Sequence, residues 1–325
     1  MNPDRRNLLG LFGLTAVAPF ASAQPVPGFP SKQLRIVVPF SAGALTDIIA
    51  RIYAEKLATL IGQQVLVENR PGAGGVTASQ HVLAAPADGY TMLFVSSAHS
   101  ANPALRSKLP YDTERDFSGL SLLATSPSVI VVPADHPAKR LEDLISAGKQ
   151  KPGSLNYGSA GVGSATHLAG AYFGTETGLQ MVHVPYKGVQ EAVGAVAGNQ
   201  LDVAFPPIAL ALPLIKGNRI RPLAVTSPKR VPTMGDTPTV AERGYTGYDS
   251  SIWYALVMNS ATPKPIMNYL AQQVARVSEM PDVAEKLRSQ GLIQETLQLA
   301  QFDQFIASDI KKLGRLVRDS GITPE

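Results

Sequence analysis

This chain of 325 residues predicts an α/β fold built as two doubly wound lobes. Apolar strand, glycine- or serine-rich turn and helix recur in that order, which is the pattern of parallel βαβ units. The series runs once from Leu34, halts at two apolar runs over 120–124 and 129–132, and begins again at Leu155. A repeated plan with such a break points to two lobes joined by crossovers rather than one long sheet.

Residues 34–38, Leu-Arg-Ile-Val-Val, form the first strand. The segment after it carries Ile48, Ile49, Ile52, Leu57 and Leu60 on one side, the spacing of a helix, and Gly62 supplies its stop. Residues 65–67 make a strand, 76–85 a helix, and Ala87-Asp88-Gly89 a turn into a strand over 90–95. In the second series 155–157, 181–184, 201–205 and 222–225 read as strands, with 164–177 and 189–197 as helices. A strand over 252–257 follows, and the remainder is helical over 266–280, 282–290 and 299–320. Crossings near Thr125 and Ser250 give a first lobe of 24–124 plus 251–325 and a second of 125–250. The last helices then pack back on the first lobe. Trp253 and Tyr254 fall at the junction, as core.

The first 23 residues read as an export signal. Arg5-Arg6 form the basic start, and Ala21-Ser22-Ala23 is a cleavage site ahead of Gln24. The apolar run over 8–20 is shorter than the roughly 20 residues a membrane span needs. The paired arginines also resemble a twin-arginine leader, from which Asp4 and Leu8 depart, so two export routes stay open. Periplasmic location is the expectation. Without 1–23, Lys+Arg falls from 29 to 27 and Asp+Glu from 25 to 24, a surplus of only +3. That is no nucleic-acid footprint, and no basic run with interleaved aromatics occurs. The absence of cysteine excludes thiol catalysis, thiolate metal sites and lipid attachment at the leader. A mature chain of this length buries enough apolar surface without disulfides. A soluble monomer without cofactor is expected.

Four glycine- or serine-rich turns follow strands, over 40–47, 71–75, 96–100 and 158–164. Ligands of open α/β sheets bind beyond the strand carboxyl ends, so facing lobes would bring these turns to one ligand. The first turn opens directly onto a helix, whose unpaired N–H groups and dipole stabilise an anion. It holds no lysine, so it is not a phosphate loop of the Walker kind and suits a small carboxylate better. Candidate ligand residues there are Phe40, Ser41, Ala42, Gly43, Ala44 and Thr46. Asp47 would repel an anion, so it reads as an N-cap paired with Arg51 at i+4, or alternatively as a group fixing the loop from behind. Pro71-Gly72-Ala73-Gly74-Gly75 fails the spacing of a dinucleotide fingerprint. Ser97 is the candidate from the third turn.

The fourth turn offers Ser159, Gly163 and Ser164, with His167 one helical turn further. Ser159 resembles a nucleophile elbow, but Tyr157 stands where that motif needs glycine, and neither His167 nor His183 has an evident carboxylate partner. A hydroxyl donor to ligand is the better reading. The histidines at 81, 99, 136, 167 and 183 show no metal-binding spacing. Tyr186 ends a strand where its phenol could reach a cleft, while Lys187 beside it reads as solvated. Asp202, a lone carboxylate in an apolar strand, is either a loop anchor or an acceptor for ligand. No Arg or Lys stands out as the partner of a second carboxylate.

Taken in order, several blocks resemble the substrate-binding receptors of tripartite tricarboxylate transporters, also called the Bug family. They are Val38-Pro39-Phe40 with Gly43 and Thr46-Asp47, the run from Val67 through Arg70 to Gly75, and Asp88-Gly89-Tyr90-Thr91. Asn156-Tyr157-Gly158-Ser159-Ala160-Gly161 with His167, and His183-Val184-Pro185-Tyr186-Lys187-Gly188, continue the match. Leu223-Ala224-Val225-Thr226, Pro238-Thr239-Val240-Ala241-Glu242 and Trp253 complete it. The resemblance implies a type II periplasmic binding protein-like fold, with two lobes hinged around a ligand cleft. It implies a non-enzymatic receptor for a small organic carboxylate (a di- or tricarboxylate, aromatic acid or amino acid) that docks on membrane transporter subunits. It also implies a grip through backbone amides and waters at 40–46, opposed by the turn at 159–164 and the region of Asp202. Two positions depart from the family: Ala44 stands where a second glycine is usual, so its methyl narrows the approach, and Asn259-Ser260-Ala261-Thr262-Pro263 replaces Ala-Pro-Ala-Gly-Thr-Pro. The competing classes are an α/β hydrolase or nucleotide-dependent enzyme, and a binding protein used for sensing.

Overall fold

The computed structural model describes residues 26–319; the expected export signal, and Ser320 at the end of the expected last helix, lie outside the described residues. Along the first part of the chain come β1 (Leu34–Val38), α1 (Leu45–Ile61), β2 (Val65–Asn69), α2 (Val76–Ala84), β3 (Thr91–Ser96), α3 (Ala98–Leu105) and β4 (Phe117–Ser126). The middle holds β5 (Val129–Pro133), α4 (Leu141–Gln150), β6 (Leu155–Ser159), α5 (Ala165–Thr177), β7 (Met181–Pro185), α6 (Val189–Ala197), β8 (Val203–Ala204), α7 (Ile208–Lys216) and β9 (Ile220–Val225). The last part is β10 (Ile252–Asn259), α8 (Lys264–Ser278), α9 (Pro281–Ser289), β11 (Ile293–Gln294) and α10 (Leu299–Asp319).

The strands form two sheets, one ordered β11-β4-β10-β3-β1-β2 and the other β7-β6-β8-β5-β9. Both repeat one plan: the second, first and third strands of a βα series, then a crossing strand and a fourth. The parallel pairing of the βαβ units holds for β1–β3 and β6–β8, and the crossing strands add antiparallel neighbours. β4 leaves the first sheet and β10 returns to it, so the two run antiparallel, with Ile252 opposite Ser126 and Asn259 opposite Phe117. β5 enters the second sheet and β9 leaves it, again antiparallel, with Val129 opposite Val225. A chain that goes out and comes back beside itself has no other direction available.

Four elements were absent from the sequence reading: α3, α4, α7 and β11. α3 and α7 each carry an internal proline, Pro103 and Pro213, which masks a helix in local sequence. The expected turn at 96–100 is therefore the start of a helix. Asp47 is likewise not the N-cap of α1, which is Ala44 without a side-chain cap.

The inner strands are buried on both faces, which explains their nearly unbroken apolar runs, while the edge strands β2 and β7 stay partly exposed. Ile36 and Val38 pack with Ile49, Tyr53 and Leu57 of α1 and with Leu270 and Val274 of α8. Val37, on the opposite face, joins Leu93, Trp253, Phe302 and Ile306. Ile130 and Val132 divide from Val129 and Val131 in the same way between the two faces of the second sheet. α5 lies so close to β6 that a Cβ on Gly170 would stand 2.2 Å from the Tyr157 ring, hence glycine there.

His99, in the first turn of α3, is buried, edge-on to Phe117 at 5.2 Å, and its Nε2 has no hydrogen-bond partner among the described residues. Burial pushes its pKa from 6.5 down to about 4. The unfolded chain therefore takes up this proton first. Stability from this group is full above about pH 6.5, falls as pH drops toward 4, and is level below that. The gap is worth about 3 kcal/mol. Urea melts across this window should show a steeper acid loss in the native chain than in His99→Gln, and equal losses would refute the assignment.

Candidate functional site

Between the two sheets lies a cavity of about 440 Å³, walled by α3 and α10 on one side and α5 on the other. Ser97 and Ala98 begin α3 on its wall, and Gly163, Ser164 and Ala165 lead into α5. A Cβ on Gly163 would stand 3.6 Å from Leu105, which places the start of α5 beside the end of α3 and Arg106. Ala101, Leu168, Leu313 and Leu316 form one apolar cluster across the lobes. Further along, Lys312 of α10 lies 3.5 Å from the Asp249 carbonyl and 5.7 Å from the centre of the Tyr172 ring.

The turn into α5 is pinned from several sides. Gly161 and Gly163 take φ of 105° and 74°, which favours glycine. The Gly163 N–H donates to His167 Nδ1 at 3.0 Å, and the Ser164 hydroxyl caps the His167 N–H at 3.2 Å. The Ala160 N–H donates to Thr166 Oγ1 at 3.0 Å. The N–H groups of Ala165 and Thr166, in the first turn of α5, have no acceptor within the helix, the arrangement by which a helix start meets an anion. Behind the turn, the rings of His167 and His183 stack at 3.8 Å. Burial, and then the charge His183 would carry, hold His167 down at about 4, and burial lowers His183 as well. Both are neutral near pH 7.

His183 Nε2 is 2.6 Å from Ser159 Oγ, a pairing the sequence did not connect. Ser159 is fully buried, accepts the Gly161 N–H at 3.1 Å, and lies off the cavity wall. No carboxylate among the described residues bonds His183. Together these bonds hold the shape of the turn.

At the start of α1, Asp47 keeps the expected pairing with Arg51 without being the N-cap, and it also fixes the loop, the alternative role. Its carboxylate accepts Arg51 Nε at 2.9 Å and also the Gly43 N–H at 2.9 Å, bracing the loop from behind. Asn69 adds a third bond at 2.9 Å. Burial raises its pKa, but the bonds from Arg51, Gly43 and Asn69 outweigh that and hold the carboxyl below its usual range.

Of the sequence candidates, Phe40, Ser97, Gly163 and Ser164 line the cavity. Ser41, Ala42 and Gly43 are exposed and outside this wall. The N–H groups of Gly43 and Ala44 are spent on Asp47 and on the Ser41 carbonyl. Thr46 is buried with its hydroxyl unpartnered among the described residues. His167 stands behind the turn, and the Tyr186 N–H donates to the Ser159 carbonyl at 2.9 Å. Asp202 lies at the opposite end of its sheet, where it and Asn156 exchange bonds of 2.8 and 2.9 Å. That geometry is the loop anchor. The sequence missed Leu105, Arg106, Tyr172, Asp249 and the α10 residues Lys312, Leu313 and Leu316. The α10 periodicity shows an amphipathic helix but not which neighbour its faces meet. Among the described residues no cluster could hold a metal ion, and no helix is long and apolar enough to cross a membrane.

Two α/β lobes with a cavity walled from both define a solute-binding protein. The chain belongs to the tripartite tricarboxylate transporter family receptors, whose family model matches residues 49–322. A relative from Pseudomonas sp. strain P51, described as the UPF0065 protein in the tcbD-tcbE intergenic region, is 35% identical over 90% of this chain and 87% of its own. The solved structure of R. palustris Rpa4515 with adipate is 32% identical, covers 91% of this chain and 100% of that one, and has a TM-score of 0.74. MatC from Rhodopseudomonas palustris with bound malate is 28% identical over 89% and 100%, with a TM-score of 0.69.

Proposed function

We propose that this receptor captures a small organic carboxylate in the cavity between its lobes and presents it to membrane subunits of a tripartite tricarboxylate transporter. The observation that carries this reading is the start of α5. Its first-turn N–H groups and positive dipole end face a cavity whose wall also includes Arg106. Relatives of the same fold with adipate and malate support it. The mature protein is a periplasmic monomer starting at Gln24. Its lobes are 24–124 plus 251–325 and 125–250, hinged where the chain crosses between the sheets. Closure of the hinge strips water from the carboxylate and strengthens each bond to it.

A thermal-shift panel of malate, adipate, benzoate and amino acids tests this. A ligand present at a hundred times its Kd adds about 2.7 kcal/mol to native stability, which in a protein this size raises Tm by several degrees. No shift with any carboxylate would sink the reading.

A further inference from the structure

The cavity is electrically lopsided. One end holds the start of α5 and Arg106. At the other lie two carboxylates, Asp249 and Asp309, and one ammonium, Lys312, which pairs with the Asp309 carboxylate and reaches only the backbone carbonyl of Asp249. Lys312 Nζ lies 3.1 Å from Asp309 Oδ1, and the Asp309 carboxylate also accepts the Trp253 indole N–H at 2.8 Å. The Asp249 carboxylate takes the Ser251 N–H and O–H at 3.0 and 2.8 Å. Among Asp249, Asp309 and Lys312 the formal sum is one negative charge, with Lys312 already paired to Asp309, and the charges of Glu176 and Arg315 beside Tyr172 offset each other.

Between the ends the wall is apolar, from Ala101 and Leu105 of α3, Leu168 of α5, and Leu313 and Leu316 of α10. At about 30 Å³ for each water-sized group, 440 Å³ has room for about fifteen. Malate would leave most of that apolar wall without a partner. A second acid on a longer ligand would be carried into the end that already has surplus negative charge.

Resting on the carboxylate reading above, we infer that the ligand is a monocarboxylate with a bulky apolar body, aliphatic or aromatic, and no second acid. Its carboxylate sits at the start of α5, its body lies along α3, α5 and α10, and its far end meets Asp249 and Lys312.

Titration calorimetry on the mature chain separates the possibilities. Octanoate and octanedioate share one length and differ in the second carboxylate; 3-phenylpropanoate and malate set the effect of the body. The expected result is that octanoate and 3-phenylpropanoate bind at least tenfold tighter than octanedioate and malate. Asp249→Asn, which keeps an acceptor for Ser251, should narrow the octanoate-to-octanedioate ratio at least threefold. Malate or octanedioate binding as tightly as octanoate would overturn this inference and leave the carboxylate reading standing. An unchanged ratio in Asp249→Asn would overturn the role given to that end of the cavity. No binding by any of the four acids would overturn both this inference and the reading beneath it.

Discussion

Ser164→Asp is expected to abolish ligand binding while leaving the protein folded. Aspartate is as good an N-cap as serine, so the bond to the His167 N–H survives and the added charge suits the helix dipole. The same carboxylate then occupies the place the ligand's own must take. Two like charges about 4 Å apart repel by about 4 kcal/mol at an effective dielectric near 20, close to a thousandfold in Kd. Ser164→Ala makes the contrast. It loses the cap, costing about 1 kcal/mol of stability, yet keeps the backbone N–H groups, so affinity falls only severalfold. Calorimetry beside thermal melts reads both effects. Tight binding by a folded Ser164→Asp protein would move the carboxylate seat away from α5.

The largest stability effect is expected at Trp253. Its side chain is 2% exposed on β10, edge-on to Phe302 and Phe305 at 5.8 Å each, with its N–H on Asp309 of α10. Trp253→Ala should cost about 3–5 kcal/mol, the usual price of emptying so large a buried site. Trp253→Phe keeps most of the ring but strips a bond from a buried carboxylate, for about 1–3 kcal/mol. Urea midpoints order the three proteins, and native-like stability in Trp253→Ala would refute the packing account. Because α10 also carries Lys312, Leu313 and Leu316, a loosened contact here should weaken binding as well.

Much of the fold was legible because it is locally encoded. The β1 bounds follow from an apolar run that stops at Pro39, the α6 bounds from apolar spacing between Gly188 and Gly198, and Gly62 stops α1 with a φ of 67°. The order of blocks along the chain identified the family. α3 escaped notice because Pro103 broke its pattern, and the antiparallel crossing strands escaped because strand direction leaves no mark in composition.

The site divides along the same line. Sequence alone determined that glycine-rich turns open onto helices beyond strand ends, because backbone freedom and N–H supply belong to a few adjacent residues. Tertiary structure alone decided which of those turns meet the cavity, and that α10 walls it. It also decided that Ser159 meets His183 across 24 residues, Asp202 meets Asn156 across 46, and Trp253 meets Asp309 across 56. Such contacts arise from how whole faces bury against one another, and a chain carries that information only when all of its packing is solved at once.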